Sequence, residues 1–463
     1  MAEIMKNVQT YSGKKVFVLG LAKSGYHAAL LLQKLGAKVT VSDQKTLRDN
    51  PAAQTLKAAG VTVLTGPQTA DQLTDDFDLM VKNPGIAYDV PLVQAALAKQ
   101  LPIITEVELA SEVNEGELVA VTGSNGKTTT TTMITKILNQ ERVQGRSAYA
   151  GNIGVPASEV AQEMTADDTL VLEVSSFMLL GTTTFHPHIA VLTNIFSNHL
   201  DYHKTRENYV NAKMRITANQ TANDYFVVNF DAPEWRTLAQ RSQAQIVPFS
   251  RQAVTTDGAY EQDGNLYFKG ELVMAASDVR VPGTHNIENA LAAIAVAKIE
   301  GRSNDAIRHV LTTFGGVRHR TQYVLTAAGR KYYNDSKATD MEATEMALNG
   351  FKEPVVLLAG GLDRGYEFDN LVPYFKAHVK AIVLFGETQQ LLAKAAKAAG
   401  ISTIAYAENA EAAVPIAYNL SAPGDVILLS PANASWDQYP NFEVRGDRFI
   451  EAVEALTGQK EEQ

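Results

Sequence analysis

Short apolar runs that end on glycine or polar clusters, each followed by apolar residues at helical spacing, recur along the chain. Val16-Phe17-Val18-Leu19 predicts a strand entering Gly20-Leu21-Ala22-Lys23-Ser24-Gly25, and Ala28, Leu31 and Leu32 mark the helix behind it. Residues 38–43 predict a second strand that ends on Asp43, and Asp78-Leu79-Met80-Val81 another, running into the turn Lys82-Asn83-Pro84-Gly85. A helical pattern over 90–99 and a short strand over 102–105 close this unit. The next opens on Leu118-Val119-Ala120-Val121, a buried strand, then a glycine-rich turn and a helix over 131–138. Further strands are expected at 170–173, 188–194 and 225–230, and a helix over 205–220. Small antiparallel strands over 259–274 turn at Asp263-Gly264 and Lys269-Gly270, and a nearly all-apolar, hence buried, helix covers 289–299. Past Gly315-Gly316 the alternation resumes, with strands at 331–334, 355–358, 382–385 and 426–429 and helices over 338–348, 388–399 and 410–419. Strands alternating with helices predict an α/β chain of three domains, 1–105, 106–316 and 317–463, each on a mostly parallel sheet with flanking helices.

Composition narrows the function. At 463 residues the chain suits about three domains of ~100–200 residues each. A net charge of −10 argues against a nucleic-acid partner or an anionic membrane surface. There is no cysteine, which excludes disulfides and thiol catalysis and fits a reducing compartment. Residues 1–12 contain no continuous apolar stretch of signal-peptide type, and runs such as Leu170-Val171-Leu172 are too short to span a bilayer. The expectation is a soluble, cytoplasmic, monomeric protein without membrane insertion. Low-complexity sequence is confined to the charged tail, 459–463.

The polar clusters at strand ends carry the chemistry. Strand, Thr122-Gly123-Ser124-Asn125-Gly126-Lys127-Thr128-Thr129-Thr130 and helix form a phosphate-binding loop: glycines let backbone N–H groups close on an anion, and the helix N-terminus adds its dipole. Lys127 would reach the β/γ-phosphates and Thr128 a Mg²⁺ ion. The full motif has a glycine where Val121 stands, and a plain helix start is the bland alternative. Gly20–Gly25 with Asp43 resembles a dinucleotide-binding βαβ unit, although Ala22 replaces its central glycine; a mononucleotide suits it as well. Ligands of open parallel sheets sit beyond the strands' carboxyl ends, so Glu173 and His199, each following an apolar strand, are expected near the phosphate loop. Asn289 opens the predicted 289–299 helix, either to cap it or to face a nucleotide. Asp335-Ser336-Lys337-Ala338-Thr339, Gly360-Gly361-Leu362-Asp363-Arg364 and Ser430-Pro431-Ala432-Asn433-Ala434-Ser435 lie at strand exits of the third unit. Lys213 shares a helix face with Tyr209 and Ile216, where a lysine ordinarily snorkels to water.

Together these motifs resemble the Mur ligase family of ATP-dependent amide-forming enzymes, over nearly the whole chain and in order. The compact loop at 122–128 is shared with folylpolyglutamate synthases; Glu173-Val-Ser-Ser-Phe, Asn334-Asp-Ser-Lys-Ala-Thr and Ser430-Pro-Ala-Asn-Ala-Ser-Trp-Asp-Gln-Tyr with Asn441-Phe442 are more specific. The Asp-Asn-Pro-Arg signature of the diaminopimelate-adding members is absent from the sequence. The resemblance implies a Rossmann-like first domain for a UDP-sugar, a central ATPase-like domain and a Rossmann-like third domain for an amino acid. It implies ATP with Mg²⁺ at two sites, Mn²⁺ being able to substitute, and the joining of D-glutamate to UDP-N-acetylmuramoyl-L-alanine through an acyl phosphate. Lys127, Glu173, His199 and Lys213 would be catalytic, and Thr128, Glu173, His199 and Lys213 would serve the metal. ATP would meet Gly123, Asn125, Gly126, Lys127, Thr128, Thr129, Asn289, Arg320, Asp335 and Lys337. The UDP-sugar would meet Ala22, Lys23, Ser24, Asp43, Gly85, Asn152 and Ser175, and D-glutamate Thr339, Arg364, Ser435 and Phe442. Arg364 departs from the family, which has a lysine there.

The resemblance also implies that Lys213 is carbamylated, because Tyr209-Val-Asn-Ala-Lys213 matches the segment where the family carries its modified lysine. Arg320 and Lys337 stand far along the chain from Lys127, so sharing one nucleotide would require domain closure, for which Gly315-Gly316 is the expected hinge. Two other classes remain: a nicotinamide-dependent oxidoreductase built on Gly20–Gly25 and Asp43, and a nucleotide switch built on the Lys127 loop. Within the ligases, a folylpolyglutamate synthase or another Mur-type enzyme is the alternative.

Overall fold

The computed structural model describes residues 8–196 and 199–462. Residues 1–7, Ser197, Asn198 and Gln463 of the charged tail lie outside them. The chain forms α/β domains on three sheets and divides into two compact units. One takes the described residues through Ala276 together with Glu288–Val310; the other takes Ser277–Ile287 and Leu311 onward.

In the first unit, five parallel strands, β1 (Lys15–Leu19), β2 (Lys38–Asp43), β3 (Thr62–Thr65), β4 (Leu79–Lys82) and β5 (Ile103–Ile104), lie in the order β3-β2-β1-β4-β5. The chain steps outward from β1 to β3, then returns to β1's other side with β4. That reversal opens a crevice between the exits of β1 and β4, where helices pack on opposite faces. Register pairs Leu19 with Lys82, so the Gly20 turn and the Asn83 turn leave side by side.

The same unit holds a nine-stranded sheet: β6 (Glu117–Thr122), β7 (Ser147–Gly151), β8 (Thr169–Glu173), β9 (Ile189–Leu192), β10 (Tyr225–Asn229), β11 (Gln245–Ser250), β12 (Ala259–Gln262), β13 (Asn265–Phe268) and β14 (Glu271–Ala275). Its order is β14-β13-β12-β11-β10-β9-β6-β8-β7, parallel except for the β12-β13-β14 meander at one edge. β6 is flanked by β8 and β9, both wholly buried, as their near-continuous apolar sequences require of strands covered on both faces. The apolar face of helix Lys23–Lys34 packs against Ala157–Ala161, joining the cores of the two sheets through Leu31, Leu32, Ala157 and Ala161.

The second unit carries β15 (Gln322–Ala327), β16 (Arg330–Asn334), β17 (Val355–Gly360), β18 (Val379–Phe385), β19 (Ile404–Tyr406) and β20 (Val426–Leu429) in the order β15-β16-β20-β17-β18-β19. Only β15 runs antiparallel. β20 returns between β16 and β17, so the polar clusters after those three strands become neighbours.

Several local expectations shift. The helix expected over 205–220 is Arg206–Met214 followed by a 3-10 turn, Arg215–Thr217. The buried helix is Thr284–Ile299, so Asn289 lies inside it and cannot be its cap. The division between the two compact units falls within that helix and again at Val310/Leu311; it leaves the expected three-domain boundaries untested.

Candidate functional site

The exit of β6 forms a tight glycine turn. Gly123 (φ 150°) and Gly126 (φ 81°) hold backbone shapes that L side chains rarely adopt. They are also held by packing: a Cβ on Gly123 would stand 1.9 Å from Thr193 Oγ1, and one on Gly126 2.2 Å from Asn289 Oδ1. The exit of β9 braces the loop, since Ser124 N donates to Asn194 O and Asn125 N to Asn194 Oδ1, both at 2.9 Å. Thr193 Oγ1 donates to Asn125 O at 2.7 Å. Helix Lys127–Leu138 starts from Gly126 with no side chain capping its first amides, which leaves donors for an anion. Thr128 is buried at that start, and Thr130 Oγ1 donates to Asn289 Oδ1 at 3.2 Å. Asn289 thus faces the loop, not the end of its own helix.

Two lysines converge on this turn. Lys127 Nζ donates to Gly123 O at 2.9 Å and Ser124 O at 2.8 Å, while Lys213 Nζ donates to the same Gly123 O at 2.7 Å. Lys213 is buried, its ammonium 4.6 Å from the Tyr209 ring centroid. Burial, then the charge of Lys127, push Lys213 well below the ordinary lysine range, against the pull of Glu173. Glu173 ends β8 beside Val121 and is buried as well. Asn152 donates its amide to Glu173 Oε1 at 2.9 Å, whereas the buried Oε2 has no hydrogen-bond partner. Among the described residues no three His, Cys, Asp or Glu side chains could hold a metal by themselves. The lone carboxylate oxygen nevertheless fits a hard cation whose other ligands come from elsewhere.

His199 joins this group through an aromatic wall. Its ring lies 4.9 Å from Phe177 and 6.3 Å from Tyr209; Phe177 stacks on His203, whose Nε2 is 2.9 Å from Ser176 Oγ. Ser175 caps helix Ser176–Leu179. The wall escapes sequence reading because Phe177 and Tyr209 look like ordinary core residues; the proximity of His199, Tyr202, His203 and Tyr209 in sequence is its one local signal.

At the first sheet's crevice, Gly20 (φ 90°) and Gly25 make the turn: a Cβ on Gly25 would meet Gly20 O at 1.9 Å. Ala22 precedes helix Lys23–Lys34, whose first turn, with Ser24, has no side-chain cap. Asp43 accepts from Leu21 N at 2.7 Å and Lys45 N at 2.9 Å, fastening the glycine turn. Lys23 Nζ reaches Gly154 O at 3.2 Å, and Gly85 lies in the neighbouring turn.

In the second unit, Asp335 is buried after β16, accepting from Ser430 Oγ at 2.8 Å and Thr321 N at 2.9 Å. Burial raises it to about 7, partly offset by those bonds and by Arg320's charge. Lys337 Nζ lies 3.9 Å from the Phe442 ring centroid, and the Arg364 guanidinium 5.1 Å from that of Trp436. Ser435 Oγ is buried without a partner, and Thr339 is half-buried. Arg445, absent from the sequence reading, is fully buried; it donates to Ser336 Oγ at 3.0 Å and Ser336 O at 2.8 Å, with Gly360 O 3.5 Å away. Nothing local marks it, since an arginine on a helix is ordinarily solvated.

Family models match in three consecutive stretches: a Mur ligase MurD-like N-terminal domain at residues 14–105, a Mur ligase middle domain at 121–297, and a Mur ligase glutamate ligase domain at 319–433. The chain is 62% identical over 458 residues to a UDP-N-acetylmuramoylalanine–D-glutamate ligase of Lactiplantibacillus plantarum, covering 99% of this chain and 100% of that one. It is 55% identical over 456 residues to an enzyme of the same name from Enterococcus hirae, covering 98% and 99%. Among solved structures it resembles the UDP-N-acetylmuramate-alanine ligase MurC of Thermotoga maritima (TM-score 0.59, 20% identity, 96% and 99% covered). The MurF ligase of the same organism, solved in complex with ADP, gives a TM-score of 0.57 at 18% identity, with 97% of each chain covered. These two likenesses concern the fold.

Proposed function

The chain belongs to the Mur ligase family, and we propose that it adds D-glutamate to UDP-N-acetylmuramoyl-L-alanine in peptidoglycan precursor synthesis. Whole-length identity to ligases named for that reaction carries the reading. The chemistry needs activation, because a carboxylate does not acylate an amine unaided. ATP transfers its γ-phosphoryl group to the L-alanyl carboxylate, breaking the bond to the β-phosphate oxygen and releasing ADP. The free amine of D-glutamate attacks the carbonyl carbon of that acyl phosphate. The carbon–oxygen bond to phosphate then breaks, inorganic phosphate leaves, and the nitrogen gives up a proton to leave the amide.

Backbone amides of Gly123, Gly126 and Thr129 and the start of helix Lys127–Leu138 suit ATP's phosphates, with Asn125, whose amide is held by Asn194, and Asn289 bracing the turn. Lys127 offsets charge on the transferring phosphoryl group. Arg320, Asp335 and Lys337 are the second unit's residues for ATP. Ala22, Lys23, Ser24, Asp43 and Gly85 serve the uridine diphosphate, for which an uncapped helix start is apt. Asn152 and Ser175 serve the muramoyl end, and Thr339, Arg364, Ser435 and Phe442 serve D-glutamate. Arg364 offers a planar fork where a lysine would offer a point charge.

Mg²⁺ is the ion we assign, at two sites that Mn²⁺ could also fill. Glu173 Oε2 fits it, and Thr128 and His199 would add ligands. The Lys213 ammonium does not fit. Carbon dioxide adds to a neutral lysine amine with loss of a proton, and the burial that depresses Lys213 favours the neutral amine. The carbamate inverts the charge and presents two oxygens. Bound there, Mg²⁺ would draw charge from the phosphoryl oxygens. We place the reaction in the cytoplasm, where ATP and UDP-sugars are found; among the described residues no helix is long and apolar enough to cross a membrane.

The test is phosphate release with UDP-N-acetylmuramoyl-L-alanine against L- and D-amino acids. ATP consumption should require both the acceptor and D-glutamate. Better turnover with L-glutamate, L-lysine or a folate would refute the assignment.

A further inference from the structure

Lys82 ends β4 inside the protein. Its side chain is fully buried, and among the described residues no carboxylate shares in its ionisation. The ammonium sits instead in a cage of oxygens. Nζ donates to Ile86 O at 2.6 Å, with the carbonyls of Asn83 and Pro84 each 3.3 Å away. The Tyr202 hydroxyl is 3.2 Å from Nζ and can itself donate to Ile86 O at 3.0 Å or Pro84 O at 3.2 Å. The rings of Tyr88 and Tyr202 lie 4.7 and 5.9 Å from the charge. Burial lowers Lys82 to about 8 and raises Tyr202 above the ordinary phenol range, so the phenol keeps its proton and remains a donor.

An ammonium out of water is unfavourable unless all its donors are met, and an apolar side chain would fill the same space without that penalty. What the charge adds is convergence: the carbonyls of one turn repel each other unless a cation stands between them. That turn is the one packed on the glycine loop. Asn83 N donates to Leu19 O at 2.9 Å, and a Cβ on Gly20 would meet Ile86 Cδ1 at 2.9 Å. Tyr202 lies in helix Leu200–His203, which starts from His199; its amide donates to His199 O at 3.2 Å. Its ring packs 4.5 Å from Phe177, the residue that also touches His199.

We propose that Lys82 is a positioning residue: its ammonium ties the uridine-side turn at 83–86 to the Tyr202 hydroxyl, and so sets the UDP-sugar site and the His199 segment together. This rests on reading that turn as part of the uridine site. A built-in cation among converging carbonyls makes two regions of the acceptor site, far apart in sequence, move as one.

Lys82→Met keeps most of the length and bulk but not the charge. In ligand-free protein, amide exchange in peptides covering 83–89 and 199–205 should speed up about tenfold, with helix Lys127–Leu138 still protected. KM for the UDP-sugar should rise about tenfold and kcat fall, while KM for ATP stays within about twofold. Lys82→Ala leaves room for the deleted propylammonium, so n-propylammonium should restore part of the UDP-sugar affinity and n-propanol should not. Tyr202→Phe, a smaller change should the lysine variants fail to fold, should show the same KM pattern to a lesser degree. Unchanged exchange in both segments overturns the proposal, as does an unchanged UDP-sugar KM in Lys82→Met or Tyr202→Phe. Titration of the wild type with UDP separates the premise: absence of binding refutes the uridine reading, and the exchange result then decides the tie by itself.

Discussion

Gly123→Ala probes the phosphate loop through a clash that the structure locates. The new Cβ would stand 1.9 Å from Thr193 Oγ1, 3.1 Å from Thr193 Cβ and 3.2 Å from Asn194 N, in a residue held at φ 150°. Thr193 can turn away only by giving up its 2.7 Å bond to Asn125 O, worth about 1 kcal/mol. An L side chain at that φ adds roughly 1–3 kcal/mol of strain. If the loop relaxes to escape both terms, about 2–4 kcal/mol is lost from the phosphate-binding geometry, or roughly 30- to 900-fold in kcat/KM for ATP. The UDP-sugar loop is on another sheet, so its ligand's affinity should hold. Calorimetric titration with ATP and with UDP, alongside steady-state kinetics, separates the two. Thr193→Ala added to Gly123→Ala removes the nearest obstacle and should recover part of the loss. An ATP affinity within about twofold of wild type in Gly123→Ala would refute the reasoning, as would equal losses for ATP and UDP.

Lys213→Ala should abolish ligation yet leave the fold intact, with partial rescue by acetate and some activity retained in Lys213→Glu; full activity without additive would end the carbamate reading. Asp43→Ala releases the glycine turn at Leu21 N and should raise KM for the UDP-sugar with little change for ATP; an equal rise for both counts against it. Asp335, raised to about 7 from 3.8, keeps its proton in the folded chain where the unfolded chain has lost it. Its contribution to stability is full below the unfolded value and is lost as pH rises towards about 7. Melting temperatures followed from about pH 4 to about pH 8 should therefore fall more steeply in wild type than in Asp335→Asn; parallel profiles would show that Asp335 ionises normally.

The period of apolar residues was enough to predict strand, loop and helix in series, and with it an α/β chain on three sheets. Such patterns are local: a buried strand must be apolar, and a turn such as Gly20–Gly25 or Gly123–Gly126 must bend where only glycine fits. The resemblance carried by Glu173-Val-Ser-Ser-Phe and Asn334-Asp-Ser-Lys-Ala-Thr was likewise legible, because those side chains follow strand ends. Weakly patterned elements were not. β15 and β19 are sheet edges, β19 with only three residues, and helix Phe442–Thr457 hides among charged residues. Which exits meet was beyond the sequence, since strand order is a long-range choice. β9 lies beside β6, which puts Thr193 and Asn194 under the phosphate loop, and helix Arg206–Met214 brings Lys213 to the Gly123 carbonyl already held by Lys127. Asn289 was expected at a helix end and instead sits within a helix against Gly126. Lys82 and Arg445 look like solvated cations in the sequence. Only the folded chain removes water from both and gathers carbonyl and hydroxyl oxygens around each.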